Sequence, residues 1–315
     1  MTATADLIIE RRQMRRRLAI WRILAIVAGI GALITVIAVA TGGRLGGPSG
    51  GGDHVAVVSI TGMILSDKER SDMLEKLADE NAVKAVVVRV SSPGGTVTGS
   101  EELYEDLRTI AANKPVAAQM IDVAASGGYI ASIGADYIVA RSNTITGSIG
   151  VVAEGPNISE FLAQNGISVI KVKSSPLKAE PGFLTEPAPG ALDEQRRLID
   201  DSYQWFRNLV GERRGLEGEA LDAVADGRVH TGRLAKSLGL IDAIGEDEEV
   251  DAWLEEAHGI DPSLNRRARK WGDDDLPWPL RAMAEASGID RLIASTVAPA
   301  ADRLSPGFRL MAIMY

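Results

Sequence analysis

The sequence predicts an α/β layered fold with parallel strands, and three observations point to it. Short runs of β-branched residues recur without polar interruption, as in strands buried on both faces. Segments with charges and leucines at helical spacing alternate with these runs, and a strand–helix–strand rhythm of this length means parallel pairing. The runs also close on glycine- or serine-rich turns, where the chain changes direction.

In chain order, residues 55–60 (VAVVSI) form the first expected strand, stopped by Thr61-Gly62. Residues 67–81 are expected to be helical. Residues 83–90 (VKAVVVRV) give a second buried strand, closed by Ser91-Ser92-Pro93-Gly94-Gly95. Residues 100–112 suit a helix, 115–121 a third strand, and 126–134 the start of another helix. Residues 137–140 form a further strand, followed by strands at 144–152 and 167–173. A long helix is expected over 193–214, with Leu198, Ile199, Tyr203, Phe206 and Leu209 on one side. Residues 262–315 change character, with a basic patch (Arg266, Arg267, Arg269, Lys270), then three aspartates, and are expected to form a separate extension. The basic patch suits either anionic lipid headgroups or solvent. The apolar end suits a docked tail, a neighbour's surface or a peptide groove.

Composition narrows the chemistry. The 315 residues include no cysteine and three histidines, so disulfides and thiolate chemistry are excluded. A net charge of −9 argues against nucleic acid as a partner, and nothing calls for a metal or cofactor. The charge is uneven: residues 1–44 carry +5 and the remainder −14. Residues 23–40 hold no charged side chain, a length that roughly matches a bilayer core of about 30 Å. Arginines precede this run, which puts the N-terminus in the cytoplasm and the rest across the membrane. A cleaved signal peptide has the same polarity, but its apolar stretch is usually shorter. The expected organisation is a basic tail over 1–17, a transmembrane anchor over 18–40, a Gly-rich linker over 41–53, the main α/β domain over 54–261 and the extension over 262–315.

Two glycine turns, Pro93-Gly94-Gly95 and Ser126-Gly127-Gly128, follow strands. Backbone N–H groups at such turns can stabilise a developing oxyanion. Ser126 sits at a strand-to-helix corner, where a nucleophile is presented, although serine is equally an ordinary helix N-cap. A serine nucleophile needs a base. His54 falls in the linker, His230 in a glycine-flanked loop and His258 near the end of an acidic segment. None has a partner signature, and each is expected at the surface. A lysine can replace histidine when burial favours its neutral form, but composition does not choose one.

The segment Asp122-Val123-Ala124-Ala125-Ser126-Gly127-Gly128-Tyr129-Ile130-Ala131 resembles the nucleophile motif of the signal peptide peptidase A family of bacterial membrane serine proteases. Four further blocks agree in order: Ser91 to Gly95, Thr146-Gly147-Ser148-Ile149-Gly150-Val151, Lys173-Ser174-Ser175-Pro176-Leu177-Lys178, and Asp226 to Gly232 followed by Leu238 to Asp242. The chain is similar to the short, single-unit form. The resemblance implies a crotonase/ClpP-like layered fold with Ser126 as nucleophile and Lys178 as general base. It also implies that Ser148 orients the lysine amine, and that the N–H groups of Gly95 and Gly127, beside Gly94, form the oxyanion hole. An acidic residue often follows the family's lysine. Here Ala179 follows, with Glu180 one position later, so Lys171 and Lys173 remain alternatives. The alternation in Ile170-Lys171-Val172-Lys173 suggests that both lysines point outward from a strand.

The implied activity is cleavage of remnant signal peptides and similar apolar peptides at the outer face of a bacterial inner membrane. The catalytic domain is expected on the periplasmic side, in a homo-oligomer whose neighbouring subunits complete each site. A protease for one specific membrane protein, a crotonase-like acyl-coenzyme A enzyme and an inactive membrane scaffold are the competing readings.

Overall fold

The computed structural model describes residues 21–22, 29, 52–271 and 311–313. Among the described residues no helix is long and apolar enough to cross a membrane. Most of the expected anchor and most of the linker lie outside the described residues.

The first strand, β1 (His54–Ile64), pairs in parallel with β2 (Val83–Thr96), which pairs in parallel with β3 (Val116–Ala125). On the far side of β3 lie β4 (Tyr137–Ala140) and β5 (Ile145–Gly147), both parallel to it. The short β6 (Val229–Thr231) adds antiparallel to β5, and β7 (Ala243–Ile244) extends β4. One edge is completed by β8 (Asn265–Arg269), parallel to β1. Finally β9 (Met311–Ile313) runs antiparallel to the end of β2.

Strand alternation explains the uninterrupted apolar runs. Ala56, Val58, Ile60, Val86, Val88, Val90, Ala118 and Met120 face one core. Helices α1 (Lys68–Asp79), α2 (Val97–Ala111), α3 (Gly127–Ser132) and the C-terminal half of α5 (Ala191–Arg214) cover it; α4 is the short helix Ser159–Gln164. Val55, Val57, Ala85, Val87 and Ala117 face a second, smaller core. After α6 (Gly218–Asp222) and α7 (Gly232–Ser237), helix α8 (Asp247–His258) closes that second face. Its Trp253 stacks on Tyr137 with ring centroids 4.9 Å apart. This is a mixed α/β layered fold with a mainly parallel sheet, and burial on both faces is what such strands require.

The helices begin where local chemistry starts them. Asp67 caps α1 by accepting from the N–H groups of Glu69 and Arg70. Thr96 caps α2 by accepting from Gly99.

Several expectations are corrected. Residues 167–173 contain no strand, and 144–152 forms one only over Ile145–Gly147. Residues 265–269 join the main sheet instead of a separate extension. The basic patch there is engaged by carboxylates. Arg266 pairs with Asp247 and Asp251, and Arg269 with Glu80. His54 is the first residue of β1 and fully buried, and His230 is buried in β6; neither is at the surface. A linker position for His54 and a glycine-flanked loop for His230 both suggest exposure, and tertiary packing overrides them.

Candidate active site

Ser126 follows the last residue of β3 and precedes α3. Its backbone lies at φ 54, ψ −116, a region that non-glycine residues rarely adopt and that costs about 1–3 kcal/mol. Its N–H donates to Gly147 O at 2.8 Å, and its carbonyl accepts from Tyr129 and Ile130 at 2.9 Å each. The side chain caps no helical N–H, which removes the N-cap explanation. Its hydroxyl is buried with no hydrogen-bond partner. Buried polar groups are nearly always paired, so an orphaned hydroxyl on a strained corner points to function.

The two glycine turns interlock at this corner. A Cβ on Gly127 would lie 2.3 Å from Ser100 Oγ and 3.0 Å from the Gly95 nitrogen. On Gly95 it would lie 1.8 Å from the Ile64 carbonyl oxygen, in the neighbouring strand. Only glycine permits this approach, and the approach brings both expected oxyanion-hole residues together beside Ser126. Gly94 reaches the turn with φ 125, open to glycine alone.

Ser148 lies next to Ser126 through the sheet, because β3 pairs Ala125 with Gly147. It too has positive φ, at 51, and its N–H donates to Arg228 O at 2.9 Å. Behind it, His230 pairs with Thr146 across β5 and β6. The His230 Nε2 is buried and unpartnered, and burial pushes its pKa down. Among the described residues, only Ser126, Ser148 and Ala179 combine a side chain with positive φ. Two of these are expected site residues, and the third follows Lys178.

The lysines lie on a different kind of structure. Residues 165–190 form an arm without helix or strand. Ile170 and Val172 are 88% and 94% exposed, while the Lys171 and Lys173 side chains turn inward onto Glu180 at 2.8 and 2.7 Å. This reverses the expected orientation: with no strand there, the alternation follows the clamp on Glu180. Two of the three candidate lysines are thereby held as ion pairs. Lys178 is exposed and, among the described residues, its side chain has no polar partner. The structure does not bring Lys178 into the buried Ser126 corner.

Residues 108–261 match the pattern of Peptidase family S49. A Synechocystis sp. protein named as a protease is 37% identical over 209 residues, covering 66% of this chain and 76% of the relative. Protease 4 of Haemophilus influenzae is 36% identical over 208 residues, covering 63% of this chain and 34% of the relative. An Enterococcus faecium protein named as a signal peptide peptidase is 35% identical over 182 residues, covering 56% and 52%. The chain belongs to peptidase family S49.

It is therefore a serine-type peptidase, of which the chain spans about three quarters of the Synechocystis relative's length but only about a third of protease 4. For an S49 peptidase, β9 is informative. Residues 311–313 pair antiparallel with Gly94, Gly95 and Thr96, so the edge beside the glycine turn accepts an extended strand. Two residues have surroundings that the sequence alone does not reveal. The contact of Glu180 with Lys171 and Lys173 crosses a loop that no periodicity describes. His230 is buried in a three-residue strand, too short to leave a pattern.

Proposed function

We propose that this S49 peptidase hydrolyses peptides with Ser126 as nucleophile and Lys178 as general base. The observation that carries the reading is the Ser126 corner, where a buried, unpartnered hydroxyl sits on a strained backbone against two interlocked glycine turns. Neutral Lys178 takes the Ser126 proton as the oxygen attacks the scissile carbonyl. The N–H groups of Gly95 and Gly127, with Gly94 shaping the turn, stabilise the oxyanion. The protonated lysine returns its proton to the leaving amine, and water then hydrolyses the acyl-enzyme. Ser148 accepts a hydrogen bond from the lysine amine and orients it.

The base comes from a second copy of the chain. A lysine works as a base only when neutral, and desolvation favours that form. In one chain Lys178 is exposed on an arm that also exposes Ile170, Val172, Leu177 and Leu184. Apolar side chains left exposed on the segment that carries the base suit coverage by another subunit.

The substrate is an extended apolar peptide that adds as a strand at Gly94–Thr96, the edge β9 pairs with. Remnant signal peptides fit this chemistry, and residues 23–40 would hold the domain beside them as a single-pass anchor in a bacterial inner membrane, with the domain on the periplasmic side. The wider architecture is of the crotonase/ClpP-like kind. The test is cleavage of a synthetic signal peptide by the full chain in detergent. Ser126→Ala and Lys178→Ala should each abolish it, and activity retained by Ser126→Ala overturns the reading.

A further inference from the structure

Lys178 sits on a segment that nothing regular supports. Residues 174–179 are all exposed and belong to no helix or strand, yet Ala179 holds φ 57. A strained residue in an exposed loop persists only where the surroundings over-determine it. One carboxylate supplies that restraint. Glu180 Oε1 accepts from Lys171 Nζ at 2.8 Å and from Lys173 Nζ at 2.7 Å, and Oε2 accepts from the Ala188 N–H at 3.3 Å. The Glu180 side chain is only 2% exposed. The lysines it holds reach further. Lys171 also donates to Ala179 O at 3.1 Å and to Thr185 Oγ1 at 3.4 Å, while Lys173 donates to Pro176 O at 2.5 Å. The two ammonium groups thus grip the backbone on both sides of Lys178, at 176 and at 179, and Glu180 grips both ammonium groups.

We propose that Glu180 is a positioning residue: it clamps Lys171 and Lys173 so that the loop they hold presents Lys178 to the nucleophile. This rests on the reading of Lys178 as the general base. An exposed ion pair contributes little order. A covered carboxylate with two ammonium donors and a backbone N–H is a different case, because charge-assisted bonds of fixed geometry set the loop's shape. The same ion pairs draw the Glu180 carboxyl down to about 2, through its bonds to Lys171 and then Lys173, so the clamp is charged wherever peptide hydrolysis is measured.

The experiment uses the full chain, a synthetic signal peptide and four variants: Lys178→Ala, Glu180→Gln, Lys173→Met and Glu180→Gln with Lys173→Met. Misplacing a catalytic group by about an ångström can cost about 100-fold. Glu180→Gln should therefore lower kcat roughly 10- to 100-fold with KM unchanged, and with the same melting temperature and subunit assembly as wild type. Lys173→Met should lower kcat similarly, and the double variant should lose no more than the worse single one, because both act through one clamp. Wild-type kcat in Glu180→Gln overturns the clamp, as does a loss confined to KM or accompanied by lost assembly or thermal stability. Additive losses in the double variant also overturn it. Activity retained by Lys178→Ala overturns the base assignment instead, so the two failures are distinguishable.

Discussion

The Ser126 corner and the lysine arm are built in opposite ways. The corner is locked inside one chain: Ser126, Gly127 and Ala125 are buried, β3 pairs with β2 and β5 on either side, and the glycine turns touch backbone to backbone. The arm over 165–190 has no strand or helix, exposes its apolar residues and is held mainly by charge around Glu180. The contrast shows where preorganisation is needed. In the proposed reading, a nucleophile and an oxyanion hole work through fixed geometry in a site that excludes water, which a sheet buried on both faces supplies. A lysine base needs desolvation, which a second surface can supply when it docks.

The largest effect tests the locked side. Ser126→Ala should lower kcat by roughly 10⁴-fold or more, as losing a nucleophile does in other serine proteases, with the melting temperature kept. A peptide-cleavage assay beside a thermal melt measures both, and residual turnover near wild type would break the comparison. Next comes the arm. If Lys178 serves a neighbour's serine, mixing and re-assembling the inactive Ser126→Ala and Lys178→Ala chains should regenerate turnover, since some sites then pair an intact serine with an intact lysine. A mixture as inactive as its parts would place both residues in one chain's site.

The third prediction separates rigid from yielding contacts within the corner. Gly95→Ala drives a methyl against the Ile64 backbone oxygen, and Gly127→Ala drives one against the Ser100 hydroxyl. Overpacking of this kind costs about 1–3 kcal/mol. The Gly95 variant should lie at or beyond the top of that range, because strand backbone cannot turn aside. Adding Ser100→Ala should recover stability in Gly127→Ala and none in Gly95→Ala, as read by denaturant midpoints.

The smallest effect concerns His230. Burial lowers its pKa below the unfolded value of about 6.5, so the unfolded chain binds the extra proton first. Stability should therefore be full above about pH 7 and fall as pH drops through about 6.5. His230→Phe should flatten that slope in pH-dependent melts, and an unchanged slope would show that His230 does not contribute.

The sequence was most legible where structure is local. Residues 83–90 announced a buried strand through their branched side chains, and Gly94-Gly95 and Gly127-Gly128 announced tight turns because only glycine tolerates the approach they make. Ser126 at a strand-to-helix corner followed from the same logic. Residues 170–173 misled because alternating apolar and basic side chains mimic a strand's period. Among the described residues no strand pairs with them, and the charges instead fold back onto Glu180. His54 and residues 265–269 misled for a different reason. The burial of His54 and the strand at 265–269 go with an edge pairing between segments about 200 residues apart, which leaves no short-range trace.

By itself, then, the sequence determined the alternation of strands and helices over 55–140, the glycine turns, the corner serine and the need for a base other than a well-partnered histidine. These follow from backbone sterics, side-chain period and a residue inventory, all of which act over a few positions. The tertiary structure alone decided which lysines are tied up in ion pairs, that His54 and His230 are buried, and that both glycine turns meet at one serine. Each of those outcomes depends on distances between groups far apart in the chain, and only packing brings such groups within reach.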